Sequence, residues 1–260
     1  MSDTTQLPDV DPNVQSRLED VRGRIASACD QADRPTSAVT MVAVTKYATA
    51  DQARSIVSLG VRDLGENYVQ NLQQRAVDVG EHHQALQADA SSDVNDDLRW
   101  HLQGHLQRNK VKAALPIVTM LHTLDSLRLA EELEVQVPRV LGEEAKLPCL
   151  MQINCSNESQ KGGVAVGAAR HLAEQMMELG HLRLMGVMTM AAYGVDADTA
   201  RRTFARCREV FEEMKKFGIG GDDFRHLSMG MSDDFEPAIL EGSTIIRVGS
   251  ALFGAREEAA

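Results

Sequence analysis

VTMVAVTKYATADQARSIVSLG (Val39–Gly60) joins two patterns within one short stretch. Its first part, Val39 to Thr45, is a run without polar alternation, the mark of a strand buried on both faces. Its second part is an amphipathic helix that runs through about Leu59 and stops at Gly60. The same unit recurs on either side. Upstream, Pro12 to Asp33 has helical periodicity, with Val14, Leu18, Val21 and Ile25 on one face. Downstream, strands are expected near Val61–Leu64, Leu98–Leu102, Ile117–Leu121, Pro148–Asn154, Leu182–Thr189, Phe224–Ser228 and Thr244–Val248. Helices are expected to open at Asn67 and to span Asn109–Ala114, Ser126–Gln136, Val164–Leu179, Ala197–Phe217 and Asp233–Leu240. Residues His82 to Asp97 read as a polar surface loop, with His82 and His83 in water.

Strand–helix alternation of this kind implies a parallel sheet covered by helices. Eight strands, nearly all followed by a helix, fit a single-domain (β/α)8 barrel with one extra N-terminal helix, and 260 residues is the right length. The expected organisation is a flexible start at 1–11, the barrel at 12–256 and a flexible end at 257–260. An open doubly wound sheet is the alternative, but GGVAVG (Gly162–Gly167) lacks the middle glycine of a dinucleotide-binding turn.

Twenty-seven Lys and Arg against 38 Asp and Glu give a net charge of −11, which argues against nonspecific nucleic-acid binding. No apolar run is long enough to span a bilayer, and MSDTTQLPDVDP does not read as a signal peptide. Cys29, Cys149, Cys155 and Cys207 form no CxxC pair and read as reduced, buried fillers of a cytoplasmic protein. His101 and His105 are four apart, but Leu102 stands where a zinc-protease motif needs Glu, so no metal is expected.

In a parallel barrel, reactive groups sit at the C-terminal ends of the strands. The first strand runs straight into Lys46. Burial there would disfavour the ammonium and expose a nucleophilic amine; the plain alternative is a lysine snorkelling to solvent. LSMGMSDDFEPAI (Leu227–Ile239) places Ser228, Gly230 and Ser232 in a turn before a helix, and IIRVGSALFG (Ile245–Gly254) places Gly249 and Ser250 after the last strand. These are the loops where barrels commonly hold phosphate, although each alone is also an ordinary capped turn. Arg247 lies within the apolar last strand and needs a partner, either a ligand or a barrel carboxylate such as Glu66. A lysine able to form an aldimine, a phosphate cup and a buried arginine together describe a pyridoxal 5′-phosphate (PLP) site.

At these residues the chain resembles the pyridoxal phosphate homeostasis protein family. The resemblance is carried by VAVTK (Val42–Lys46), LGENYVQ (Leu64–Gln70), WHLQGHLQRNK (Trp100–Lys110), HTLDS (His122–Ser126), QINCSNESQKGG (Gln152–Gly163), LMGVMTM (Leu184–Met190), LSMGMSDDFEPAI and IRVGSALFGAR. It extends from about Leu18 to Arg256. It implies the fold of the alanine racemase N-terminal barrel and an internal aldimine of PLP on Lys46. It also implies that Ser228, Gly249 and Ser250 hold the phosphate, Arg247 faces the pyridine nitrogen and Asn67 lies near the ring. Asn71 and Gln103 depart from the family pattern, and Gln103 would change the polarity near the pocket.

An arginine at the pyridine nitrogen leaves that nitrogen unprotonated and weakens the ring as an electron sink. Racemisation needs a second base opposite Lys46, and neither Tyr47 nor Tyr68 is an evident one; Tyr193 is the remaining tyrosine. The expected function is therefore a monomeric carrier or buffer of PLP that serves PLP-dependent apoenzymes. A small PLP-dependent racemase is the alternative. A barrel binding another phosphorylated metabolite, with Lys46 as a charge clamp, is the third reading.

Overall fold

Pro12 opens a 20-residue helix, α1 (Pro12–Gln31), because proline suits the first turn and the Asp11 carboxylate accepts from the Asn13 N–H as its N-cap. The structure, a computed structural model, describes residues 10–88, 96–156, 158 and 162–254; expectations that fall at 1–9, 89–95, 157, 159–161 and 255–260 lie outside the described residues. Behind α1 come β1 (Thr40–Val44), α2 (Ala50–Ser58), β2 (Asp63–Glu66), α3 (Val69–Ala88), β3 (Arg99–Leu102), α4 (Val111–Ala114), β4 (Val118–Leu124) and α5 (Leu127–Leu141). The second half holds β5 (Leu147–Asn154), β6 (Val164–Ala165), α6 (Val166–Met177), β7 (Leu182–Met188), α7 (Ala197–Lys216), β8 (His226–Ser228), α8 (Phe235–Leu240), β9 (Ile245–Val248) and α9 (Ser250–Phe253).

The strands run β4-β3-β2-β1-β9-β8-β7-β5, all parallel, and the β4–β5 pairing closes them into an eight-stranded barrel. The two-residue β6 pairs with β5 outside the ring, where a helix start was expected at Val164. Outward-facing apolar side chains such as Ala43, Leu64, Leu102, Leu121 and Val248 pack under the helices in the main core. A second, smaller cluster of Val42, Leu150, Met185, Met188 and Ile245 fills part of the barrel interior. The extra helix α1 lies against α8, α9 and α2, and the Asp11 N–H donates to Ser55 Oγ at 3.0 Å. All four cysteines are buried free thiols, and burial pushes the Cys149 thiol up to about 12.

One reading is corrected. His82 and His83 are not in a solvated loop, because α3 continues through Ala88 and both rings are buried. Val79, His82, His83 and Leu86 extend the apolar face of the helix at i, i+3, i+4 and i+7. Two polar imidazoles can stand on that face because each has a partner: His82 Nε2 lies 2.8 Å from Ser58 Oγ on α2, and His83 Nε2 lies 2.8 Å from the Asp96 carbonyl oxygen. Burial lowers the pKa of both.

Candidate functional site

The strand register brings the ends of β1 and β9 to one rim. Ala43 pairs with Val248, so Lys46 and the Gly249–Ser250 turn leave the barrel side by side. The approach is close: a Cβ on Gly249 would stand 3.2 Å from the Val44 carbonyl oxygen. Asn67 follows β2, the other neighbour of β1, and its N–H donates to Glu66 Oε2 at 3.3 Å.

Lys46 is half-buried rather than enclosed, and its Nζ lies 5.0 Å from the centre of the Tyr47 ring. It borders a cavity of about 460 Å³ lined by Ala50, Glu66, Asn71, Arg75 and Asp78. Glu66 does not pair with Arg247, contrary to the carboxylate alternative. It accepts from Thr45 Oγ1 at 2.7 Å, and burial raises its pKa against the pull of that hydrogen bond. Asn67 lines a separate opening of about 550 Å³ with Tyr68, Gly104, His105, Gln107 and Lys110.

The β9–α9 turn makes an anion-sized convergence of donors. The N–H groups of Gly249 and Ala251 both point at Ser232 Oγ, at 3.1 and 3.2 Å. One hydroxyl oxygen thus stands where the oxygen of an anion would be received. The structure separates the two serines of the β8–α8 segment. Ser232 faces this turn, whereas Ser228 is wholly buried, accepts from Arg247 Nη1 at 2.6 Å and lies 3.0 Å from His122 Nδ1. Ser228, expected in the phosphate cup, is thus engaged by Arg247 and His122 inside the barrel, and Ser232 is the serine that meets the turn.

Arg247 is 4% exposed, and its Nη2 donates to the Thr189 carbonyl at 3.0 Å. Burial lowers its pKa to about 10, so it keeps its charge at neutral pH, helped by the field of Asp234. Close to the mouth, Gln103 is 9% exposed, and its Nε2 has no hydrogen-bond partner among the described residues. The amide fits there because Gly65 is small: a Cβ on Gly65 would stand 2.3 Å from Gln103 Nε2. A buried donor without a partner is costly, and its presence fits a ligand acceptor at this rim. His101 and His105 diverge, His101 toward Asp63 and His122 inside the barrel, His105 toward Asp125 outside it.

Sequence reasoning left out His101 and His122 as interior groups. The available signal was alternation: Arg99-His101-Gln103, His226-Ser228 and Arg247-Gly249 place a polar or small residue at every second position. Those are the positions that face the barrel axis.

Comparison with known proteins decides the lineage. The alanine racemase N-terminal domain family matches residues 20–257. The pyridoxal phosphate homeostasis protein of Aquifex aeolicus is 33% identical over 246 residues, which cover 94% of this chain and 99% of that one. The chain belongs to the pyridoxal phosphate homeostasis protein family. Two solved structures are similar to this family member throughout. An unknown protein from Bifidobacterium adolescentis superposes with a TM-score of 0.83 at 31% identity, covering 94% of this chain and 98% of its own. PipY of Synechococcus elongatus PCC7942, solved with PLP bound, superposes with a TM-score of 0.72 at 30% identity, covering 90% and 100%.

Proposed function

We propose that this family member holds PLP through Lys46 and carries or buffers it within vitamin B6 homeostasis, delivering it to PLP-dependent apoenzymes. The observation that carries the reading is the shared rim of Lys46 and the Gly249–Ala251 turn, set by the β1–β9 register. PipY, of the same fold at 30% identity, is described with PLP bound, which supports the same ligand here.

When bound, PLP would supply an aldehyde reactive toward an amine, for which Lys46 is the group at this rim, and a ring that can withdraw electrons. The chain's residues do the rest. Ser232, Gly249 and Ser250 would receive the phosphate and the Gln103 amide would donate to a ring substituent, with Asn67, on the neighbouring opening, toward the ring's edge. Ser228 serves the site indirectly by holding Arg247. Arg247 would offer N–H groups to the pyridine nitrogen and, since burial lowers its pKa only to about 10, would keep its own proton and leave that nitrogen without one.

Such a ring is a weak electron sink, which favours carriage over carbanion chemistry. Racemisation would need a base opposite Lys46, and Tyr47, Tyr68 and Tyr193 are 57%, 65% and 88% exposed, a poor setting for one. We place the activity in the cytoplasm, in keeping with four free thiols, and take one chain as the working unit.

The test is borohydride reduction of the PLP-saturated protein followed by peptide mapping. A pyridoxyl group on Lys46 is expected; an unmodified Lys46 would overturn the reading and favour a charge-clamp role. Incubation with amino acids in D2O separates carrier from enzyme, because α-proton exchange at a useful turnover would make this a racemase-type catalyst. Transfer from loaded protein to an apoenzyme, with free PLP trapped, tests direct delivery.

A further inference from the structure

A continuous hydrogen-bonded chain crosses the barrel interior beneath the rim. Asp63 Oδ1, at the start of β2, lies 3.0 Å from His101 Nε2 on β3. His101 Nδ1 lies 2.9 Å from His122 Nε2 on β4, with the rings edge to face at 5.0 Å between centres. His122 Nδ1 lies 3.0 Å from Ser228 Oγ on β8, and Ser228 Oγ accepts from Arg247 Nη1 on β9 at 2.6 Å. His122 and Ser228 are wholly buried, and His101 and Arg247 are 4% exposed.

The two ends dictate where each proton sits. A guanidinium only donates, so Ser228 Oγ must accept from Arg247 and has its own hydrogen to give. An ionised carboxylate only accepts, so His101 Nε2 must carry a hydrogen for Asp63. With both rings neutral, a single arrangement satisfies every link: Ser228 O–H donates to His122 Nδ1, His122 Nε2–H donates to His101 Nδ1, and His101 Nε2–H donates to Asp63. A neutral His122 suits its surroundings, because burial away from water disfavours its imidazolium and the Arg247 charge adds to that. Every member points the same way, from a cation at one end to an anion at the other, so successive dipoles reinforce one another.

We propose that His101 and His122 are positioning residues for Arg247, relaying the charge of Asp63 across the barrel so that the Ser228 hydroxyl is locked as Arg247's acceptor. With Nη1 held by Ser228 and Nη2 by the Thr189 carbonyl, the guanidinium plane is fixed and its remaining donors are left for a bound ring. The inference rests on the proposed placement of PLP beside Arg247.

Two measurements test it. In 15N-histidine NMR of the ligand-free protein near pH 7.5, both rings should show a pyridine-type Nδ1 and a pyrrole-type Nε2. The opposite tautomer at His122 would overturn the relay, and this readout needs no variant. The second measurement is a double-mutant cycle on the rate of PLP release. Asp63→Asn and Ser228→Ala, at opposite ends of the chain, should each speed release by about tenfold, the scale of one hydrogen bond to a charged group. The double variant should be scarcely faster than either single one, because the two residues couple only through the histidines. Additive effects would overturn the relay. Arg247→Gln separates this failure from that of the underlying reading: a changed absorption spectrum of bound PLP keeps Arg247 at the ring, whereas an unchanged spectrum sinks the placement itself.

Discussion

Arg99 grips both carboxylate oxygens of Asp63, Nε to Oδ1 at 2.8 Å and Nη2 to Oδ2 at 2.7 Å, between two residues that are also register partners on adjacent strands. Asp63 is only 14% exposed, and burial alone would raise its pKa. The hydrogen bonds from Arg99 and His101 win, bringing it down to about 2 from 3.8. Because the folded pKa is the lower one, the stabilisation is complete above pH 4 and is lost as the pH falls toward 2. The shift corresponds to about 2 kcal/mol. Urea unfolding at pH 5, 4, 3 and 2 should show wild type losing about that much more stability than Asp63→Asn over this interval. Parallel pH profiles would mean that Asp63 has no depressed pKa.

Lys46 is half-buried at the end of β1, and its ammonium meets the exposed Tyr47 ring and, less strongly, the field of the Glu66 carboxylate. Lys46→Ala should therefore fold normally, with stability within about 0.5 kcal/mol of wild type. It should lose the visible absorbance of the covalent link while keeping weak PLP binding through the Ser232–Gly249–Ser250 turn. Equilibrium dialysis of PLP measures the remainder. Complete loss of binding would mean that the turn contributes little affinity of its own.

Gln103 offers a case in which stability and binding should move in opposite directions. Its Nε2 is buried without a partner at the rim. Gln103→Leu removes an unsatisfied donor and should stabilise the ligand-free protein by about 1 kcal/mol. The same change should weaken PLP binding by about tenfold if the amide donates to the ligand. Thermal unfolding and PLP titration of the two proteins check both halves. Unchanged affinity would remove Gln103 from the site.

The architecture was legible because outward-facing strand positions are apolar. Met41 and Ala43 on β1, and Cys149, Met151 and Ile153 on β5, pack under helices, so those strands read as uninterrupted buried runs. The inward positions were harder to read. His101, His122, His226 and Arg247 break the apolar pattern singly, and a lone polar residue in a strand does not name its partner across a barrel. The end of α3 failed for a related reason: His82 and His83 are polar by type but become core residues once Ser58 and the Asp96 carbonyl each engage one ring nitrogen. That Lys46 and the last turn share a rim was legible because the strand-end rule of parallel barrels needs only strand order. Which serine faces that turn was not, since Ser228 and Ser232 are four apart and only the path of the β8–α8 segment sends one inward and the other to the rim.

That path depends on Gly230. Its φ is +91°, a region costly for any residue with a side chain, and a Cβ there would stand 2.7 Å from Ala238 Cβ and 2.8 Å from Phe235 Cα. Its carbonyl accepts from the Arg247 N–H at 3.0 Å, which ties the turn between Ser228 and Ser232 to β9. Gly60 offers a matched control, because its φ is +88° but a Cβ would meet nothing within 4 Å. Gly60→Ala pays only for backbone strain, about 1 kcal/mol, whereas Gly230→Ala adds a clash with backbone and should cost about 3 kcal/mol. Urea denaturation of the two variants reads the difference. Gly230→Ala should also release PLP faster than wild type, since moving the turn displaces Ser232 and Arg247 together, while Gly60→Ala should leave release unchanged. Equal destabilisation by the two substitutions would show that α8 yields to the added methyl and that the glycine is needed for its φ alone.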